Sequence, residues 1–146
     1  IIMITGNDNS NSPTGLRHAG FASVLSKAPI INVSSDFSPV RTKMEITNIV
    51  TRQKPDAIFA SDDLTAILVI KIAQELGISV PEELKVIGYD GTYFIENYYP
   101  QLATIKQPLE EIACLTVDLL LQKIEGKEVA TTGYFLPVTL LPGKSI

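Results

Sequence analysis

Five short apolar runs, none with the polar alternation of a half-exposed strand, constrain this chain more than any other feature. Ile1 to Thr5, Ile30 to Val33, Ala57 to Ala60, Lys85 to Tyr89 and Ala103 to Ile105 have the length and character of strands covered on both faces. Three helical patterns separate the first four. Ser12-Pro13 and Ser38-Pro39 open two of them, each pairing an N-cap oxygen with a proline at the first helical position, where no amide hydrogen is missed. The third follows Asp62-Asp63 and stops at Gly77, a residue suited to the left-handed conformation that ends helices. The order β-α-β-α-β-α-β predicts an α/β fold on a doubly wound parallel sheet.

After Gln107 the pattern changes. Pro108 opens a long amphipathic helix, LEEIACLTVDLLLQKIEG, with Glu110 and Glu111 in its first turn, Lys123 in its last and Gly126 just beyond, as the helix dipole favours. Tyr134 to Leu141 is an apolar run broken by Pro137, which predicts an edge strand or a bent one. A chain that crosses at Gln107-Pro108 into another lobe and returns near Tyr134 accounts for this break in alternation. Ile1 already sits inside a strand with no preceding turn or cap, so the chain reads as the later part of something larger.

Charge and cysteine usage narrow the function. At 146 residues and 45% hydrophobic, one sizeable core is expected. Twelve basic against sixteen acidic residues give a net charge of -4, the wrong sign for a surface that tracks phosphates along DNA. No run is apolar for the roughly 18 to 20 residues a membrane span needs, and IIMITG lacks the basic flank of a signal peptide. The chain reads as cytoplasmic, with no membrane partner, metal or cofactor. A single cysteine, Cys114, precludes an internal disulfide, and its place in an apolar helical pattern predicts a buried, inert thiol.

In an open parallel sheet the ligand crevice lies beyond the carboxyl ends of the strands. Those ends deliver Arg17 on the first helix, Phe37 after the second strand, Asp62 and Asp63 after the third, Asp90 after the fourth and Gln107 after the fifth. Carboxylates that accept, a guanidinium that donates two parallel bonds, an amide that does both and an aromatic face together suit a neutral polyol. Each residue has a competing local role. Arg17 fits a solvated helix position, Phe37 a core staple, Asp90 an Asx-turn with Gly91 and Gln107 a cap on the long helix. One of Asp62 and Asp63 must cap the third helix; the expectation is Asp63, leaving Asp62 for ligand. Whether Arg17 serves a hydroxyl pair or a phosphate stays open.

Leu64 to Leu76 is apolar around most of its circumference, with Lys71, Gln74 and Glu75 as its polar stripe. A symmetric contact through Ile67, Leu68, Ile70 and Lys71 would cover what the sheet does not, and predicts a homodimer. Two rival classes stand beside a sensing domain. A phosphoacceptor receiver would use Asp62, Asp63, Asp90, Thr104 and Lys106, but Thr104 and Lys106 are expected to point apart. Hydrolysis lacks a nucleophile motif, and His18 is the sole histidine, so no enzyme is expected. A sugar-binding protein of a transport system would share the architecture.

The phrases PDAIFASDDLTAILVIKIAQELGISVPEELKVIGYDG and LATIKQPLEEIACLTVDLLL, with TGLRHAGF upstream and LPVTLL at the end, resemble the C-terminal part of the effector-binding core of LacI/GalR-family transcriptional regulators, most nearly the ribose repressors. The resemblance implies a periplasmic-binding-protein-like type I lobe over residues 1–107, a crossover helix of the other lobe over 108–133 and a return strand over 134–146. It implies a sugar-responsive, non-catalytic repressor that dimerises and reaches operator DNA through a headpiece absent from this chain. The effector it implies is a small sugar, ribose before a purine. The family's effector contacts fall on Arg17, Phe37, Asp62, Asp90 and Gln107. Two departures are plain: the family often has Asn where this chain has Asp62, and Asp or Asn where Gly91 stands, which predicts a looser loop.

Overall fold

Hydrogen bonding gathers the strands into one sheet in the computed structural model, which describes residues 1–6, 12–33, 39–129 and 133–146. The strands are β1 Ile2–Thr5, β2 Ile30–Asn32, β3 Ala57–Ala60, β4 Lys85–Asp90, β5 Ala103–Lys106 and β6 Thr139–Leu141, in the order β2-β1-β3-β4-β5-β6. The first five pair in parallel, with Ile4 of β1 between Ile31 and Ala60, and Ile87 of β4 opposite Ala103. β6 runs antiparallel against β5 at the edge, starting two residues after Pro137. Between them lie α1 Pro13–Val24, α2 Pro39–Asn48 with a π-helical turn Ile49–Gln53, α3 Asp63–Glu75, α4 Tyr93–Tyr98 and α5 Leu109–Ile124.

The boundaries follow local chemistry. Ser12 Oγ accepts from the Gly15 amide at 3.1 Å, and Pro13 stands at the first position of α1. Ser38 lies outside the described residues, although α2 does begin at Pro39. Gly77 and Gly126, just beyond α3 and α5, have φ of 72° and 76°, the left-handed conformation that closes a helix C-terminus. The short α4 was not anticipated, because GTYFIENYYP carries too few turns of apolar spacing to stand out.

β1 is buried at every residue, and Ile4, Ile58, Val86, Ile46 and Ile72 form a continuous core between the sheet and its helices. α3 adds Ala66, Val69, Ile70 and Ala73 to it. Ile70, expected at a dimer contact, is only 5% exposed and packs within the chain's own core. Ile67 and Leu68 are half-buried against the same cluster, and of the four residues expected at a dimer contact Lys71 alone is exposed. α2 packs beside α3 and covers part of the helix's apolar circumference from within the chain, while Leu64 and Leu76 stay exposed. Cys114 is exposed rather than buried. It lies on α5, where no residue is buried within this chain.

The C-terminal segment fastens the sheet from its lower end. Ser145 is 2% exposed; its hydroxyl donates to the Val86 carbonyl at 2.6 Å and accepts from the Ala103 amide at 2.8 Å, while its own carbonyl takes the Val86 amide at 2.7 Å. Nothing in LPGKSI marks this role in sequence. Ser145→Ala leaves the buried Ala103 amide without its acceptor, and the expected cost is about 1–3 kcal/mol of unfolding free energy, read from chemical denaturation; unchanged stability would show that the clip carries no energy.

Candidate functional site

β4 carries Tyr89 and Asp90 to the carboxyl edge of the sheet, where the chain turns sharply. Asp90 has φ of 131° and Gly91 φ of 59°, and a Cβ at Gly91 would lie 2.5 Å from Lys106 Cα. Glycine is therefore the residue the turn needs, and the departure expected to loosen this loop instead lets it close on β5. The Gly91 amide donates to Asp63 Oδ2 at 2.8 Å, and the Thr104 hydroxyl donates to Asp63 Oδ1. Asp63 is 3% exposed, and a Cβ on Gly88 would collide with its carboxylate, so Gly88 makes the room it occupies.

The division of labour between the two acids is thus the reverse of that expected. Asp62, not Asp63, caps α3: its Oδ1 accepts from the Thr65 amide at 2.8 Å and its Oδ2 from the Thr65 hydroxyl at 2.9 Å. Asp62 remains at the rim, half-buried, so the cap and the rim are served by one carboxylate.

Asp90 joins the ends of β4 and β5 to helix α1. Its Oδ1 accepts from Gln107 Nε2 at 2.8 Å and faces Arg17 NH2 at 3.4 Å, and its backbone carbonyl accepts from the Gln107 amide at 3.0 Å. Arg17 NH1 donates to the Ser61 carbonyl at 2.8 Å, and its guanidinium carbon lies 4.0 Å from the centre of the Tyr89 ring. Arg17 is thus fixed by a carboxylate, a carbonyl and an aromatic face at once, in keeping with its planar, multiply donating head. Burial pushes the Asp90 carboxyl above its ordinary value; the Arg17 cation pulls the other way, the Asp63 carboxylate pushes up again, the Gln107 hydrogen bond opposes it and Asp62 adds to the rise.

Arg17, Asp62, Asp90 and Gln107 therefore converge on one edge, while Phe37 lies outside the described residues. Three aromatic residues not singled out in sequence join them. Phe21 stacks on Phe59 with ring centres 5.9 Å apart, and together with Tyr89, Arg17 and Gln107 they line a cavity of about 420 Å³. Phe21 lies four residues after Arg17, one helical turn, and that spacing was a usable signal. Phe59 and Tyr89 occupy alternate positions to the buried residues of their strands, so the strand period held the signal for them too.

The receiver alternative loses its parts. Residues two apart in a strand share a face, so Thr104 and Lys106 point the same way, contrary to the expectation that they diverge. Both are nevertheless committed elsewhere: Thr104 to Asp63, and Lys106 to an ion pair with Glu96 of α4.

Comparison with known proteins adds a frame. Residues 1–146 match the family of periplasmic-binding-protein-like domains. The sucrose operon repressor of Streptococcus mutans serotype c is 57% identical over 145 residues, which is 99% of this chain and 45% of the relative. The ribose operon repressor of Halalkalibacterium halodurans is 31% identical over 134 residues, 89% of this chain and 40% of the relative. Among solved structures, the periplasmic binding protein/LacI transcriptional regulator from Alkaliphilus metalliredigens complexed with D-xylulofuranose superposes with a TM-score of 0.81 at 29% identity, covering 99% of this chain and 55% of that one. A dimeric Lac repressor with a C-terminal deletion gives 0.82 at 27% identity, covering 99% and 54%. The chain spans about half the length of the curated relatives it matches.

The swapped roles of the two acids have a thermodynamic signature. Asp62→Ala is expected to cost about 1 kcal/mol as a lost helix cap, and Asp62→Asn almost nothing. Asp63→Ala strands a buried amide and a buried hydroxyl, for an expected 2–5 kcal/mol. Denaturant titration of the three variants checks the order; a larger loss for Asp62→Ala than for Asp63→Ala contradicts it.

Proposed function

The chain belongs to the family of periplasmic-binding-protein-like domains, and from that premise we propose that it forms the C-terminal part of the effector-binding core of a sugar-responsive transcriptional repressor. The observation that carries the reading is the convergence on Asp90, where Arg17 from α1 and Gln107 from the end of β5 meet one carboxylate. Both use Oδ1, which makes Oδ2 the proposed acceptor for a ligand hydroxyl. Sugars present hydroxyls that donate to Asp90 and Asp62 and accept from Arg17 and Gln107, with a C-H face for the aromatic wall.

Residues 1–107 are the proposed C-terminal lobe, 108–133 a helix belonging to the other lobe and 134–146 the return strand. Two facts support that division. α5 buries none of its residues here, with Leu120 57% and Ile124 72% exposed, so its apolar side needs a cover from elsewhere. β6 then comes back to pair with β5. Gln107 both touches Asp90 and begins the crossing at Pro108, so ligand contact and lobe movement share one residue. Ligand that binds the closed arrangement more tightly shifts the population toward it, and a homodimer passes that shift to DNA headpieces outside this chain.

The proposed effector is a sugar linked to sucrose use rather than ribose, because a sucrose operon repressor is 57% identical to this chain and a ribose operon repressor 31%. The proposal extends to a repressor role with no catalysis, acting on operator DNA in the cytoplasm as a homodimer, and the naming of these relatives as operon repressors supports it. A transport protein would have the same fold, but the named sequence relatives are repressors.

Thermal-shift measurements on the full-length protein against sucrose, fructose, glucose, ribose and a purine test this. A cognate sugar at a hundredfold excess over Kd is expected to add about 2.7 kcal/mol of stability. A response to the purine with none to any sugar overturns the reading.

Asp90→Asn separates function from folding. Folded Asp90 keeps its proton to higher pH than the unfolded chain, whose ordinary value is 3.8. Folding therefore takes up a proton between the ordinary and the raised value, and this residue's contribution to stability falls as pH rises through that window. At neutral pH its charge is a net cost, so Asp90→Asn is expected to melt no lower than wild type. Its sugar affinity is expected to drop about tenfold or more, the loss of a charged hydrogen bond of about 1.5–3 kcal/mol; full affinity measured by calorimetry would remove Asp90 from the site.

A further inference from the structure

We propose that Tyr89 is a positioning residue that couples the effector rim to the segments crossing between lobes, with the sugar reading above as its premise. Gln107 joins rim and crossing through the backbone; the Tyr89 ring joins them through a side chain.

The strand sets the direction of that ring. A Cβ on Gly88 would meet Asp63 and Ala66 of α3, so position 88 faces α3 and Tyr89, one residue on, faces away from it. On that side the ring meets Arg17 of α1, whose guanidinium carbon lies 4.0 Å from its centre. The in-plane contacts of Arg17 leave its plane loosely held. NH1 reaches the Ser61 carbonyl at 2.8 Å, but NH2 stands 3.4 Å from Asp90 Oδ1, outside the usual range of a hydrogen bond to oxygen. The ring beneath the guanidinium holds it flat, on a side chain only 16% exposed. Among the described residues these contacts engage two of the five N–H groups of the guanidinium, so a ligand that takes another bears on the ring beneath.

The same ring has a second set of neighbours. Tyr89 and Gln107 line both the cavity of about 420 Å³ at the rim and another of about 430 Å³ toward the crossing segments. Leu115 and Leu119 of α5, with Leu136 and Val138 of the returning segment, form the far wall of that second cavity. Leu115 and Leu119 are half-buried on a helix that has no buried residue, so the side of α5 toward Tyr89 is its better covered one. Sliding of α5 or of 134–138 against the sheet changes the room on one side of the ring; ligand on Arg17 changes the load on the other. One side chain thus has two sets of partners, each able to bias where it rests. Tyr89 is half-buried and lies outside the hydrophobic core cluster, so the fold does not depend on its ring.

Hydrogen-exchange mass spectrometry of the full-length protein, with saturating sucrose and then fructose as probes, tests the coupling. In wild type the sugar is expected to slow exchange in α1 and also in α5 and 134–141. In Tyr89→Leu, with sugar raised until α1 is again protected, protection of the crossing segments is expected to be roughly threefold weaker or more, with no change in melting temperature. Tyr89→Phe keeps the ring face and is expected to match wild type. Crossing segments as well protected in Tyr89→Leu as in wild type overturn the inference and leave the sugar reading in place. A loss in Tyr89→Phe as large as in Tyr89→Leu overturns it too, because the ring face is then not the cause. If Tyr89→Leu loses protection of α1 and of the crossing segments together at every sugar concentration, the ring serves binding alone and the coupling is overturned. If wild type responds to neither sugar, the sugar reading fails and the inference with it.

Discussion

One buried carboxylate sets the geometry of the rim. Asp63, at the start of α3, holds the Gly91 amide after β4 and the Thr104 hydroxyl on β5, so three elements far apart in sequence are fastened at a point excluded from water. A charge buried there without partners would cost several kcal/mol; satisfied, it rigidifies the elements it joins. Two glycines make the arrangement possible. Gly88 leaves space for the carboxylate and Gly91 takes the left-handed turn that lies against Lys106.

Asp90 is consequently placed one residue before a turn that has no freedom to drift, and its unusual φ is the local strain that such a placement imposes. It meets Arg17, itself held by Ser61 and Tyr89, and Gln107, held through its own backbone. Burial and neighbouring carboxylates raise its pKa, so the residue best placed to receive a ligand is one whose charge the folded chain holds at a cost. That pattern supports the proposed binding role of Asp90.

The strands were legible because both faces of a central parallel strand are covered, which leaves unbroken apolar runs at β1 and β3 that no helix of that length would show. Ser12-Pro13 and Gly77 were legible because caps obey local rules. The order of Asp62 and Asp63 was not, since either side chain can cap a helix locally and the choice is made by partners 28 and 41 residues away. The burial of Ile70 within the chain was not legible because α2's packing on α3 is likewise a long-range fact, and the exposure of Cys114 was not because helical periodicity says which side of α5 is apolar but not whether this chain covers it. The strand ends marked Arg17, Asp90 and Gln107 correctly as neighbours. The aromatic wall of Phe21, Phe59 and Tyr89 was passed over, although helical and strand spacing pointed to it. Ser145 had no local signal at all.

We propose that Arg17 and Gln107 act on a ligand through the carboxylate they share. A double-mutant cycle on sugar affinity, with Arg17→Ala, Gln107→Ala and the pair, measures this directly in the full-length protein. Coupling of about 0.5–3 kcal/mol is the expected result for residues in one network. Losses that simply add, within about 0.3 kcal/mol, would contradict it and reduce the shared carboxylate to a coincidence of packing.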